Sequence, residues 1–170
     1  MFNLVVAVIS VAIVAALSLA SVYYGGTSYT GSVARVDAAT LVYGGQQIWG
    51  AQQLHMARHA GERYRGSDVS AFIGMDYLTS VPKPPDGATT GDWVLTPDGG
   101  LALIALDPEE APNLCAMIGR DGGHQGAGTA LTGGDPATVS AAGFGDHMFG
   151  CLKDTNAADP DRAIFFAYRL

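Results

Sequence analysis

The first 24 residues form one uninterrupted apolar segment. Met1 to Tyr24 carries no charged side chain, and the first charge in the chain is Arg35. The clearly polar residues of this segment are Asn3, Ser10, Ser18 and Ser21. Because an α-helix rises 1.5 Å per residue, a helix of this length extends across a hydrocarbon core of about 30 Å. The pattern predicts an apolar helix that crosses a membrane or packs among other apolar helices.

A signal peptide and a buried core helix are the two other interpretations of this segment. A secretory signal peptide opens with Lys or Arg, whereas this apolar run starts at residue 1. We therefore expect that a basic leader is absent or has been removed, and that the helix is retained.

Three glycines follow the apolar segment and predict a break in the helix. Gly25, Gly26 and Gly31 each weaken a helix by about 1 kcal/mol relative to alanine. We therefore divide the chain into a membrane or assembly helix over 1–31 and a second part over 32–170. Where such helices pack together in an assembly, we expect residues 24–31 to leave the α-helical conformation. The alternative is a continuous helix whose glycines allow close contact between helices.

Helical periodicity resumes over residues 32–65. One apolar stripe comprises Leu41, Val42, Ile48, Trp49 and Met56, and the opposite face carries Arg35, Asp37, Gln46, Gln53 and Arg58. This spacing predicts an amphipathic helix whose stripe packs on a sheet. The glycines at 44, 45 and 50 are expected to admit another backbone.

The remainder of the chain predicts a small mixed head. Apolar runs over 92–96 and 101–106 flank the turn Pro97-Asp98-Gly99-Gly100, which indicates an antiparallel hairpin. A helix is expected to begin at 107 or 112 and to end at Gly119. Further strands are predicted over 147–153 and 163–170, and loops over 66–91 and 122–145. The fold class is therefore α+β, with a long N-terminal helix packed on an antiparallel sheet.

Composition narrows the possible functions. The 170 residues are 48% hydrophobic and 15% charged, with a formal net charge of -7. Such a chain is too apolar to be disordered, and its length allows one folded domain. The acidic balance provides no basic surface for a phosphate backbone, so nucleic acid is not an expected partner.

Three sets of residues have the elements of a chemical site without a complete motif. His55 and His59 have the spacing of a zinc helix but lack the glutamate of HExxH. The loop 154–161, DTNAADPD, offers carboxylates for calcium without the EF-hand order. Asp146 and His147 have no GxSxG nucleophile elbow. We predict no catalytic residue, no metal site and no cofactor, and calcium binding by the acidic loop stays open.

Cys115 and Cys151 are the only cysteines. An even count in a chain with an export-type N-terminus favours a disulfide, with two buried thiols as the alternative.

The arrangement as a whole resembles a type IV pilin of the type IVb subgroup after removal of its leader. The likeness rests on an apolar helix from residue 1, tyrosines near its end and an amphipathic continuation to about residue 60. The loop with Tyr77, Leu78 and Pro82 also matches that layout. So do the cysteines in APNLCAMIG and in GCLK, the latter followed by AIFFAYRL.

The resemblance implies the pilin fold and assigns roles to particular residues. Met1 would be the processed, N-methylated residue, and Cys115 and Cys151 would form the disulfide of the family. The residues implied in the filament core are Phe2, Leu4, Val5, Val8, Ile9, Ile13 and Leu17. The family usually has an acidic residue at the fifth position, where this chain has Val5; minor pilins at a filament tip are a known exception.

The expected function is that of a structural subunit that polymerises through its N-terminal helix into an extracellular pilus for adhesion, aggregation, motility or conjugation. The implied partners are identical subunits, the inner membrane before assembly and the pilus assembly machinery. One alternative is a minor pilin or secretion-system pseudopilin that primes or caps the filament. A second alternative is a membrane-anchored periplasmic enzyme or metal-binding module that uses His55, His59, His124 or His147.

Overall fold

The computed structural model describes residues 2–121, 123–129, 147–154 and 164–170. Side chains are described for 6–21, 31–121, 123, 147–153 and 164–170. Two compact units divide the chain, the first over Met1–Val33 and the second over Ala34–Leu170.

Helix α1 extends over Phe2–Arg58, without a proline to interrupt it. In this single chain residues 25–31 are helical, in contrast to the break predicted at Gly25, Gly26 and Gly31. The predicted break is therefore absent from the single chain, whereas the unwinding of residues 24–31 in an assembled polymer stays a prediction.

The end of α1 is set by two residues with positive φ. Ala60 has a φ of 53° and Gly61 a φ of 89°. The amide of Gly61 donates to the carbonyl of Met56 at 2.8 Å, the bond that closes a Schellman motif. The predicted continuation to Arg65 is therefore wrong, because the chain turns left-handed after Arg58.

The second unit is an α+β fold, as predicted. Helix α2 covers Ala71–Gly74 within the segment predicted as a loop, and helix α3 covers Ala111–Arg120, close to its predicted range. The strands are β1 (Val94–Leu95), β2 (Leu101–Ala105), β3 (His124–Thr129), β4 (Phe149–Asp154) and β5 (Ile164–Arg169).

The five strands form one sheet in the order β1-β2-β5-β4-β3. Strands β1, β2, β5 and β4 are antiparallel neighbours, as predicted. Strand β3 pairs in parallel with β4, with His124 opposite Gly150. The loop prediction over 122–145 is wrong for 124–129, and most of its other residues lie outside the described ranges.

The predicted hairpin is confirmed, with Val94 opposite Leu103 in β1 and β2. The amide of Thr96 donates to the carbonyl of Leu101 at 3.0 Å, and the amide of Leu101 donates to Thr96 Oγ1 at 2.9 Å. Gly99 adopts a φ of 64°, the conformation for which the turn needs a glycine.

The main core lies between α1 and one face of the sheet. Leu41 and Ile48 of α1 are fully buried there together with Phe72 and Phe166. A second cluster on the other face comprises Leu101, Leu103, Leu152, Phe165 and Ala167. Successive side chains of β5 therefore lie on opposite faces of the sheet, as the two-residue period of a strand requires.

The buried face of α1 contains Leu41 and Ile48 of the predicted stripe but differs from it elsewhere. Trp49 is 41% exposed, whereas Gln52 and His55 are buried. The close approaches at Gly44 and Gly45 are made by the side chains of Trp93 and Tyr168. Gly50 has no neighbour within 4 Å of the position of a β-carbon, so the prediction of a backbone contact there is wrong.

Candidate assembly surface

The N-terminal helix presents an apolar surface in the first unit. Every described side chain from Val6 to Ser21 is exposed, and Leu19 reaches 74%. Valine, isoleucine and leucine residues occur on all sides of the helix rather than along one stripe. An apolar surface of this kind marks a site of contact with protein or lipid, since it gains free energy when water is excluded.

Ser10 and Ser18 of this helix do not require a polar environment. Ser10 Oγ donates to the carbonyl of Val6 at 2.8 Å, and Ser18 Oγ donates to the carbonyl of Val14 at 2.8 Å. These bonds satisfy the hydroxyl donors within the helix itself. The segment can therefore be surrounded by apolar groups without leaving these donors unpaired.

The predicted assembly residues fall into two groups. Val8, Ile9, Ile13 and Leu17 are all exposed in the first unit. The side chains of Phe2, Leu4 and Val5 lie outside the described ones, and Met1 lies outside the described residues. Their part in assembly stays a prediction.

The N-terminal segment was also predicted to be able to span a membrane. Within the part of the chain that the structure describes, no helix has both the length and the apolar character needed for a membrane crossing.

A second exposed surface lies on the part of α1 that belongs to the head. Val36, Tyr43 and Leu54 are largely exposed, with Tyr43 at 63%. They are seven and eleven residues apart, spacings that return to one side of a helix. We call Val36, Tyr43 and Leu54 the outer face of α1.

Charge is absent over most of this length of α1. No Asp, Glu, Lys or Arg occurs between Ala38 and Ala57, and burial raises the pKa of Asp37 above its usual range. A helix face meant for water normally carries charged residues. The outer face was missed because the prediction followed the largest apolar residues, and the lack of charge was the signal that could have found it.

The disulfide predicted from the two cysteines is present. Cys115 and Cys151 are bonded, with their Cα atoms 5.7 Å apart. The bond links α3 to β4, and Cys151 is buried. It therefore fixes one helix of the head to the sheet.

His55 and His59 stack on each other, with ring centroids 4.0 Å apart. His55 is 8% exposed, and its Nδ1 is buried without a hydrogen-bond partner. The Oε1 of Gln52 is likewise buried without a partner, while its Nε2 donates to the carbonyl of Gly99 at 3.3 Å. Burial of His55, and secondarily the nearby His59, lowers the pKa of its imidazole.

The other candidate chemical groups are not brought together in the described residues. Those residues contain no group of three or more His, Cys, Asp or Glu that could hold a metal ion. The acidic loop lies outside them apart from the backbone of Asp154, and Asp146 also lies outside. The side chain of His124 is not among those described, and His147 is an exposed residue before β4.

Comparisons with protein-family models, with curated proteins and with solved structures gave no match to this chain.

Proposed function

We propose that the chain is a structural filament subunit of the type IV pilin kind, which polymerises by packing its N-terminal helix against the same helix of other copies. One observation carries the proposal: the described side chains of 6–21 are all exposed, and they are apolar apart from three serines, of which Ser10 and Ser18 bond within the helix. Burying one valine, leucine or isoleucine stabilises by about 1.5–3 kcal/mol. A bundle of such helices therefore provides a large driving force for assembly.

The outer face of α1 supports the same proposal. Tyr43 and Leu54 add apolar area on the uncharged part of the helix, and Val36 adds more just before it, so that neighbouring subunits can pack there. The head contributes a disulfide-fixed fold that suits an extracellular location, since disulfides persist in oxidising compartments. Before assembly the subunit would be held in the inner membrane and delivered by the pilus assembly machinery.

A minor pilin that primes or caps the filament is the second candidate. It is favoured by Val5, because a protonated amino terminus among apolar helices is costly without a counter-charge. A subunit at a filament tip needs no such pairing with a following copy.

Electron microscopy of the purified full-length protein tests the proposal. We expect filaments from the natural sequence and from the control variant Ile13→Leu. The variant Ile13→Asp should give none, because each subunit would bury an unpaired charge at a cost of several kcal/mol. Circular dichroism and the intact disulfide would show that the head of this variant still folds.

Two results would count against the major-subunit assignment. Filaments from Ile13→Asp at the natural yield would mean that the helix is an anchor only. Failure of the natural sequence to polymerise alone, with growth after addition to filaments of another subunit, would favour the minor pilin.

A further inference from the structure

The head carries clusters of opposite charge at the two ends of strand β2. The first, which we call the arginine end, comprises Arg58, Arg63 and Arg65, three of the nine Lys and Arg residues of the whole chain. All three are exposed. In a protein with a net charge of -7, such a concentration of positive charge stands out from the rest of the head.

The arginine end is fixed beside the turn that begins β2. A β-carbon placed on Gly99 would lie 3.2 Å from Cβ of Arg63. Gln52 Nε2 joins the two segments, since it donates to the carbonyls of Gly99 at 3.3 Å and Tyr64 at 3.5 Å. Residues 63–65 are therefore held next to this turn.

Three acidic residues follow the opposite end of β2. Asp107, Glu109 and Glu110 form what we call the acidic end, and both glutamates are exposed. The amide of Asp107 donates to the carbonyl of Ala88 at 3.0 Å, and Asp107 Oδ1 accepts from the amide of Glu109 at 2.9 Å. These two hydrogen bonds thus hold the acidic end in place immediately before α3.

The two ends are too far apart to neutralise each other within one copy. At about 3.3 Å per residue, strand β2 alone separates them by about 13 Å. This exceeds the Debye length of about 8 Å at physiological ionic strength. Lys83 forms an ion pair with Asp86, at 3.0 Å, which belongs to neither end.

The net charge of the arginine end stays positive when the neighbouring charged groups are counted. The acidic side chains beside it are Glu62 and Asp98, and Arg169 of β5 lies opposite Leu101 as a fourth arginine. The amide of Leu170 donates to the carbonyl of Gly100 at 2.9 Å, so the carboxyl group of Leu170 is a third acidic group against four arginines. Asp98 Oδ1 accepts from Thr96 Oγ1 at 2.6 Å and from the amide of Gly100 at 2.9 Å. The guanidinium of Arg58 lies 5.1 Å from the ring centroid of Tyr77 and makes a cation–π contact with that ring. Arg63 and Arg65 are exposed to solvent.

We propose that the arginine end of one copy binds the acidic end of a second copy, so that heads associate head to tail. The inference rests on the proposed filament function and names the head contact that sets the register between subunits. The two surfaces are different patches of the same molecule, so the contact is heterologous and repeats from copy to copy. A heterologous contact that does not close into a ring generates a helical filament, whereas a symmetric dimer would require a patch that matches itself.

Charge reversal at both ends tests this contact in the full-length protein. The first variant is Arg63→Glu with Arg65→Glu, and the second is Glu109→Arg with Glu110→Arg. The matched control is Lys83→Glu with Arg120→Glu, which changes the net charge as much as the first variant does, at two exposed basic residues outside both ends. The readout is the critical concentration for polymerisation, measured by sedimentation at several salt concentrations.

We expect each reversal to raise the critical concentration by about tenfold at low salt, because favourable pairs become repulsive. The control should stay close to the natural sequence. The chain with all four reversals should recover, since the two ends again have opposite sign. Added salt should weaken assembly of the natural sequence and improve that of each singly reversed variant.

Several results would overturn the contact while leaving the filament function intact. One is a critical concentration of both reversed variants equal to that of the natural sequence. Another is a fourfold variant whose critical concentration stays high although its melting transition is unchanged. Binding of labelled single-stranded DNA that disappears with Arg63→Glu and Arg65→Glu, while polymerisation stays natural, would assign the arginine end to a polyanion instead. If the natural sequence forms no filament under any condition, the proposed function fails and the contact fails with it.

Discussion

Tyr168 of β5 packs directly against Gly45 of α1, so that a β-carbon at residue 45 would lie within 2.6 Å of Tyr168 Cβ. The clash would involve the base of the tyrosine side chain, which cannot swing away as a flexible end could. The absence of a side chain at Gly45 therefore lets α1 approach the sheet closely.

We expect Gly45→Ala to destabilise the head. Overpacking in a core costs about 1–3 kcal/mol, while alanine in place of glycine gains at most about 1 kcal/mol of helix propensity. The net loss should be on the order of 1 kcal/mol, measured by urea unfolding. Gly50→Ala is the matched control, since it meets open space in the same helix and should be neutral or stabilising. Equal effects of the two substitutions would contradict the account of this contact.

The sequence predicted the hairpin of the sheet and the buried face of α1 to different extents. The hairpin of β1 and β2 was predicted correctly because Pro97 and Gly99 restrict the turn locally. The buried face of α1 was predicted in part, since Leu41 and Ile48 are buried but Trp49 is 41% exposed, because large residues were weighted above small ones. The face of α1 that includes Gly45 lies on the sheet, where Tyr168 packs against that glycine, and this contact is a tertiary property.

Strand β3 is another part of the fold that local pattern could not reveal. Its sequence, HQGAGT over His124–Thr129, has neither β-branched alternation nor large apolar residues. It belongs to the sheet through its pairing with β4, a relationship that depends on residues distant in sequence. For the assembly surface, the exposed N-terminal helix followed from composition, whereas the outer face of α1 required knowledge of which side packs on the sheet.

The buried His55 should make the stability of the head depend on pH. Its pKa is lowered in the folded state, so below about pH 6.5 the unfolded chain binds a proton that the folded chain does not. Stability should therefore be constant above this pH and fall as the pH decreases toward the folded-state pKa. The slope would be at most about 1.4 kcal/mol per pH unit, measured by denaturant unfolding between pH 5 and 8.

Two variants distinguish the contribution of His55 to this pH dependence from that of neighbouring groups. His55→Leu should flatten the dependence between pH 5 and 7, whereas His59→Gln should retain most of it because burial is the larger cause of the shift. Glu62 acts in the opposite direction, and Tyr64 and Tyr77 contact the His55 ring edge-on. A full pH dependence in His55→Leu would assign the effect to other groups.

Removing the disulfide should weaken the head without abolishing the N-terminal helix. Cys115 and Cys151 are 36 residues apart, and closing a loop of that size restricts the unfolded chain by about 4 kcal/mol. We expect the double variant Cys115→Ser with Cys151→Ser to lose several kcal/mol of unfolding free energy. A reductant should lower the stability of the natural sequence to a similar value and leave the variant unaffected. No change on reduction would show that the bond contributes little.

The glycine segment should change conformation when the filament forms. In the single chain residues 25–31 are helical, and we expect them to unwind in the polymer, where extended residues rise about 3.3 Å instead of 1.5 Å. Gly25→Ala with Gly26→Ala should therefore lower filament yield, since alanine favours the helix by about 1 kcal/mol per site. Natural yield from this variant, with helical hydrogen bonds from Tyr24 to Val33 in the filament, would support close helix contact as the role of the glycines.

The central claim is that the N-terminal helices become the interior of a polymer, and a helical reconstruction of the filaments by electron cryomicroscopy tests it most directly. The account predicts a central bundle in which residues 6–21 of each subunit are surrounded by the same residues of other subunits, with the heads outside. A filament held together by head contacts alone, with these helices exposed or embedded in detergent or lipid, would contradict it.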